Sequence, residues 1–206
     1  METISEPSKR RLVLLAQLLL QQNTERITSK GIEKLTSWSG TLIRHDIASI
    51  GYRGGVSNGY SVRELHDAIC GALNIYSTGE KLKCCIVGLG RLGAALLDDS
   101  IFSGTRFQIV AGFDSSVNRT EILRSTFPLY PASRLETVIP AEHITFAVLA
   151  VADTAAQMTA DRLAKCGITG IVNYTNEVLS VAEKVKVENV SPVTALTNLS
   201  ARMGES

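Results

Sequence analysis

The chain has no paired Cys-x-x-Cys, no long hydrophobic run and only three histidines, and each absence removes a class of protein. Its four cysteines, Cys70, Cys84, Cys85 and Cys166, stand in apolar contexts, so neither a zinc site nor a disulfide framework is indicated and buried thiols are expected. The longest apolar stretch, Leu12 to Leu20, is interrupted by Gln17 and falls well short of the roughly 20 residues a membrane helix needs. Glu2 and Glu6 precede the basic cluster, and no small-residue cleavage site follows, a pattern unlike a secretory signal. A cytoplasmic location with no membrane partner is therefore expected. Catalytic equipment is also scarce. His45 and His66 lie in the front of the chain and His143 just ahead of an apolar run, and the second half offers no His/Asp pair, no Ser-Tyr-Lys set and no metal-ligand spacing.

What is present suits one large or two small domains: 206 residues, 45% hydrophobic and 20% charged. The net charge of +1 conceals a mild asymmetry, because nine basic residues face five acidic ones between Lys9 and Thr78, while Lys81 to Ser206 holds twelve of each sign. That excess alone does not establish a polyanionic partner.

The front segment reads as short helices and a glycine-rich loop. Arg11 to Gln22 is dense in leucine and is expected as a buried first helix. Thr28 or Ser29 can cap a second, with Ile32 and Leu35 inward, and Ser39 or Thr41 a third, in which Leu42, Ile43, Ile47 and Ile50 recur at helical spacing. Gly51 to Tyr60 holds four glycines in ten residues and reads as a hairpin-like loop. A last helix is expected from Ser61 to Leu73, with Val62, Leu65, Ile69 and Leu73 on one face. This is the plan of a winged helix-turn-helix whose third helix would enter a DNA groove. A small helical cap over the following domain is the alternative on pattern alone. Arg44 is the best base or phosphate contact by chemistry, because a guanidinium bonds guanine bidentately.

The second half reads as an α/β series. Lys81 to Val87 is an apolar strand that breaks into Gly88-Leu89-Gly90-Arg91-Leu92-Gly93 and then a helix to Asp99. The first glycine permits the tight turn, the second lets backbone approach a pyrophosphate, and the third lets helix and strand pack closely. Arg106 to Phe113 is a second strand ending at Asp114, 21 residues beyond Gly93, where such a domain bonds the adenosine ribose hydroxyls. That carboxylate favours NAD(H) over NADP(H), although Arg119 nearby argues the other way. Further strands are expected at Ile144 to Val151, Gly170 to Tyr174 and Val185 to Val190, with a helix from Asp153 to Cys166. The expected domains are residues 1–80 (winged helix), 81–191 (Rossmann, NAD(H)-binding) and 192–206 (C-terminal helix). A chain that holds a dinucleotide without the groups to turn it over reads as a sensor rather than an enzyme.

The sequence resembles the Rex redox-sensing transcriptional repressors over nearly its whole length. The passages that carry the resemblance are Ile43-Arg44-His45-Asp46, Gly59-Tyr60, Gly88 to Gly93, Gly112-Phe113-Asp114, Ala155-Ala156-Gln157 with Asp161-Arg162-Leu163, and Gly167 to Tyr174. The resemblance implies a homodimer with winged helices and Rossmann domains and an exchanged last helix, binding a palindromic operator when NAD+ prevails and leaving it when NADH binds. It implies cofactor contacts at Gly88, Leu89, Gly90, Arg91, Leu92, Gly93, Asp114, Arg119, Val151 and Ala152. The implied DNA contacts are Ser39, Thr41, Arg44, His45 and Arg53, with no catalytic residue and no metal. Departures cluster where the switch should be: His45 replaces a second basic residue, Gly55 and Val56 replace wing cations, Val-Pro-Ala becomes Val151-Ala152-Asp153, and Ser191-Pro192 lacks the family's acid. An N-cap role is expected of Asp153. Three readings compete: a dinucleotide-responsive repressor, a divergent NAD(H)-binding paralogue with weakened DNA specificity or redox response, and a small oxidoreductase.

Overall fold

The computed structural model describes residues 4–55, 58–75 and 81–204. Val56 and the expected domain boundary at residue 80 lie outside the described residues. The chain divides into two compact units, Met1–Gly79 and Glu80–Ser206.

In the first unit, α1 (Glu6–Leu20) starts five residues ahead of the sequence expectation, because Ser5 accepts from the Ser8 N–H at 3.3 Å and Pro7 suits a first turn. Leu12, Leu15, Ala16 and Leu19 fall on its buried face. After β1 (Arg26–Ile27), Thr28 caps α2 (Ser29–Thr36), and Ser37 turns the chain through a left-handed conformation into α3 (Gly40–Ser49), capped by Ser39. Ile32 is buried, but Leu35 is half exposed at 49%, against expectation, since Ile32 alone in α2 reaches the core. Then β2 (Tyr60–Ser61) leads into α4 (Val62–Leu73), closed by left-handed Asn74. Leu12, Leu19, Ile32, Ile43, Ile47, Leu65 and Ile69 form one core.

The glycine loop is not a hairpin with itself among the described residues. Its end, Tyr60-Ser61, pairs antiparallel with Arg26-Ile27. The Arg26 guanidinium donates to the carbonyls of Asn58 and Gly59 at 2.9 and 2.7 Å, and Gly59, at φ +74°, brings its Cα so close that a Cβ would lie 2.6 Å from the Ile27 carbonyl oxygen. These contacts draw the loop's far strand onto β1. The unit is a winged helix-turn-helix.

The second unit contains β3 (Leu82–Val87), α5 (Arg91–Ala95), β4 (Phe107–Asp114), α6 (Val117–Ile122), β5 (Leu129–Pro131), α7 (Leu135–Ala141), β6 (Phe146–Leu149), α8 (Asp153–Lys165), β7 (Gly170–Asn173), β8 (Lys186–Asn189) and α9 (Pro192–Met203). All six strands are parallel in the order β5-β4-β3-β6-β7-β8, and the order reverses between β3 and β6. Such a reversal opens a crevice beyond the carboxyl ends of the two central strands. Alternation along β3 sends Cys85 and Val87 to the face packed by α7 and α8, and Cys84 and Ile86 to the face packed by Leu89, Leu97 and Phe127. The cysteines are free thiols; burial pushes Cys84 up to about 11 and Cys85 higher still. The helix after the glycines ends at Ala95 rather than Asp99, because the chain turns at Leu96 to sink Leu97 into the core. No helix among the described residues is long and apolar enough to cross a membrane.

Candidate dinucleotide cleft and DNA-facing helix

At the reversal point Gly88, Gly90, Asp114, Arg119, Val151 and Ala152 line one cleft of about 300 Å³. The three glycines are needed for different reasons. Gly88 sits at φ +94°, and a side chain there would strike the Ala150 carbonyl; a Cβ on Gly93 would strike the Gly88 carbonyl. Gly90 faces open space, with nothing within 4 Å of a Cβ position, and it begins α5 without any side-chain cap. Two glycines therefore let the protein pack, and one leaves room beside backbone N–H groups. Leu89 is a core residue, and Gly93 lies behind Gly88. Arg91 and Leu92 are exposed on α5 and stand outside the lining.

Asp114 ends β4 with 3% exposure. It accepts from the Leu89 N–H at 2.6 Å and the Ser116 N–H at 2.7 Å, and Arg119 Nη1 lies 3.4 Å from both of its oxygens. The carboxylate thus straps the glycine loop to the next strand. Across the cleft, α8 contributes Ala155, Met158, Thr159 and Arg162, one helical face at spacings of three and four. Sequence reasoning gave these no role in the cleft, though their periodicity was there to be read. Arg162 bonds Glu136 through Nε and Nη2 at 2.6 and 2.9 Å and reaches the Ala132 carbonyl, which ties α8 to α7. These hydrogen bonds hold the Glu136 carboxyl below its ordinary range.

Asp153 is not an N-cap. Ala152 takes that position without a side-chain bond, and the Asp153 carboxylate accepts from the backbone and side-chain N–H groups of Asn176, both at 3.0 Å, which lowers its pKa. Four residues on, Gln157 donates to the Ser180 carbonyl and accepts from its N–H. One face of α8 thereby fastens the loop that follows β7.

In the first unit Ser39, Thr41, Arg44 and His45 are exposed near the start of α3, and Arg53 is exposed in the glycine loop. Ser39 spends its hydroxyl on the Leu42 N–H, and Arg44 Nη2 donates to Thr41 Oγ1 at 3.2 Å. Beneath them, Arg11 of α1 grips the buried Asp46 through Nε and Nη2 at 2.6 and 2.9 Å. Burial pushes the Asp46 carboxyl up, but hydrogen bonds from Arg11 and Ser8 outweigh it and hold the pKa below the usual value.

The "CoA binding domain" family model matches residues 79–177. A redox-sensing transcriptional repressor Rex of Leuconostoc citreum is 31% identical over 176 residues, covering 85% of this chain and 80% of the relative. The chain belongs to the Rex family. Rex relatives are named as transcriptional repressors, and the chain is a regulator rather than an enzyme. Two structures of the Rex-family repressor RSP match the full length of this chain. One, in complex with NADH, is 26% identical with a TM-score of 0.83 over 96% of RSP; the other, with NAD+ and operator DNA, is 27% identical with a TM-score of 0.85 over 94%.

Proposed function

We propose that this Rex chain binds a palindromic operator through α3 and the glycine loop, holds NAD(H) in the cleft, and leaves DNA when NADH replaces NAD+. The observation that carries the reading is the full-length match to RSP with NAD+ and operator DNA, combined with the Gly88 to Gly93 turn, whose Gly90 is free to meet a pyrophosphate. Gly88, Gly90 and the start of α5 take the pyrophosphate, Asp114 and Arg119 border the adenosine ribose, and Val151 and Ala152 border the remainder. Reduction removes the positive charge of the nicotinamide, so a cleft that prefers the neutral ring reports redox state without chemistry. To turn a 1:99 mixture of DNA-competent states into 99:1 requires differential affinity of about 10⁴-fold.

The reading includes a cytoplasmic homodimer. Val193, Leu196, Leu199 and Met203 form an apolar stripe on α9, each at least 48% exposed. Leu196→Glu is expected to shift the protein to monomer in analytical ultracentrifugation. Gel shift on a palindromic duplex tests the whole: release by NADH and retention with NAD+ is expected, and DNA binding indifferent to both nucleotides overturns the redox reading. Indifference is what the divergent-paralogue reading expects, and it has one observation in its favour: Ser191 offers a hydroxyl, already spent capping α9, where the family has a carboxylate.

Two substitutions separate the halves. Asp114→Ala should weaken NADH binding by tenfold or more while leaving operator binding without nucleotide intact; unchanged NADH affinity would remove Asp114 from the site. Arg44→Ala should cost about 1–3 kcal/mol of operator binding if it reads a base, or lower the salt slope by about one if it meets a phosphate.

A further inference from the structure

Between Gly51 and Tyr60 the chain carries a single charged side chain, Arg53, on a segment with four glycines in ten residues. A cation on so permissive a backbone must be ordered each time it meets DNA, at a cost in entropy. The residues on either side of Arg53 remove much of that freedom. Tyr52 Oη donates to Glu64 Oε2 at the start of α4 over 3.2 Å, and its ring lies 6.3 Å from the Tyr60 ring, tilted by 50°. On the other side, a Cβ on Gly54 would lie 2.5 Å from Tyr52 Oη, and one on Gly55, at φ +96°, would strike the Tyr60 ring. The loop is therefore folded down onto the two rings. Tyr60 is buried, and its Oη lies 3.3 Å from Ser29 Oγ at the start of α2. Arg53 stands exposed between two anchored neighbours. Burial, and after it the Glu64 carboxylate, push the Tyr52 phenol above its ordinary pKa, so it stays protonated and remains the donor. Glu64 occupies the third position of α4, from which a capping-box carboxylate reaches back to the N-cap; here its Oε2 takes the phenol of the loop.

We infer that Tyr52 is a positioning residue for operator binding: its bond to Glu64 holds the glycine loop against Tyr60 and aims the Arg53 guanidinium at a DNA phosphate. Neither Tyr52 nor Glu64 touches DNA in this account. They act through Arg53, by settling its backbone before the encounter, so that less ordering is left to be done on binding. The inference rests on the reading of the glycine loop as part of the operator surface. It goes beyond that reading in assigning the pair that sets the loop.

The test is operator affinity of the full-length protein with NAD+, followed by fluorescence anisotropy over a series of salt concentrations. The variants are Tyr52→Phe, Arg53→Ala, the two combined, Glu64→Ala and Glu64→Gln. Tyr52→Phe keeps the ring and loses only the hydroxyl, and should weaken binding by about two- to tenfold, the range of one hydrogen bond. Arg53→Ala should lower the salt slope by about one. Adding Tyr52→Phe to Arg53→Ala should cost nothing more, a non-additivity that a general supporting role for the tyrosine would not produce. Glu64→Ala reads the same bond from its exposed end and should match Tyr52→Phe, while Glu64→Gln, which keeps an acceptor, should recover most of the loss. Unchanged affinity in Tyr52→Phe, an unchanged salt slope in Arg53→Ala, or a Tyr52→Phe loss as large beside Arg53→Ala as in the wild type overturns the inference and leaves the operator reading standing. A wild type that binds no palindromic duplex overturns the operator reading, and the inference with it.

Discussion

Gly93→Ala is expected to abolish NADH binding and to lower the stability of the Rossmann unit by about 2–4 kcal/mol, at the high end of single substitutions, because the clash is with backbone. The added methyl would strike the Gly88 carbonyl, which cannot rotate away, since the Leu89 N–H of the same peptide unit is bonded to the buried Asp114 carboxylate at 2.6 Å. Either α5 lifts off β3 or the loop is dragged out of shape, and both destroy the cleft. The companion variant Gly90→Ala separates ligand from fold. Its methyl meets no protein atom and its backbone, at φ −66°, suits any residue, so thermal unfolding should be unchanged while NADH affinity falls by about tenfold or more, 1.4 kcal/mol for each factor of ten. Thermal unfolding and NADH titration of the two variants give the comparison; equal NADH affinity in Gly90→Ala and wild type would show that the pyrophosphate does not pass there.

The second large effect concerns Asp46→Asn. Removing one charge from the Arg11–Asp46 pair leaves a guanidinium facing an amide that cannot accept bidentately. Breaking a fully buried pair costs about 3–5 kcal/mol, and with the Arg11 side chain 23% exposed a loss of about 2–4 kcal/mol from the winged-helix unit is expected. Because the pair joins α1 to α3, operator affinity should fall as well, although Asp46 itself is buried away from any DNA. The acid limb of the stability profile is diagnostic. A carboxyl whose folded pKa lies below its unfolded value stabilises the fold above the unfolded pKa and ceases to do so as pH falls through the folded one. The wild-type advantage over Asp46→Asn should therefore be full at neutral pH and vanish in acid. Urea unfolding at neutral pH and at successive steps down through and below about pH 3 measures the decline. A pH-independent difference would refute the ionic account.

How much of this was readable beforehand depended on whether the partner was near in sequence. The glycine fingerprint, the caps Thr28 and Ser39 and the leucine stripe of α1 were legible because each rests on residues within one or two turns. The region from α6 to α7 carried no expectation: α6 buries no residue and so has no period, β5 is three residues long, and Pro140 interrupts the pattern of α7. Asp153 stood where an N-cap belongs, yet Asn176, 23 residues on, offers it two donors. The same holds for Arg11 with Asp46, and for Arg162 with Glu136: pairs 35 and 26 residues apart leave no trace in a local pattern. Asp114 was found by its spacing, but that its oxygens would already be taken by Leu89 and Ser116 followed only from where the strand ends.

The uncovered stripe of α9 also sets the order of events when the chain folds. Each unit can close its own core from a single polypeptide, but in the proposed homodimer Val193, Leu196, Leu199 and Met203 gain shelter when two chains meet. Refolding from denaturant should accordingly show first-order recovery of secondary structure and a later second-order phase whose half-time shortens as protein concentration rises. Between the two lies a sticky half-molecule, most exposed to chaperones and to aggregation when the chain is scarce.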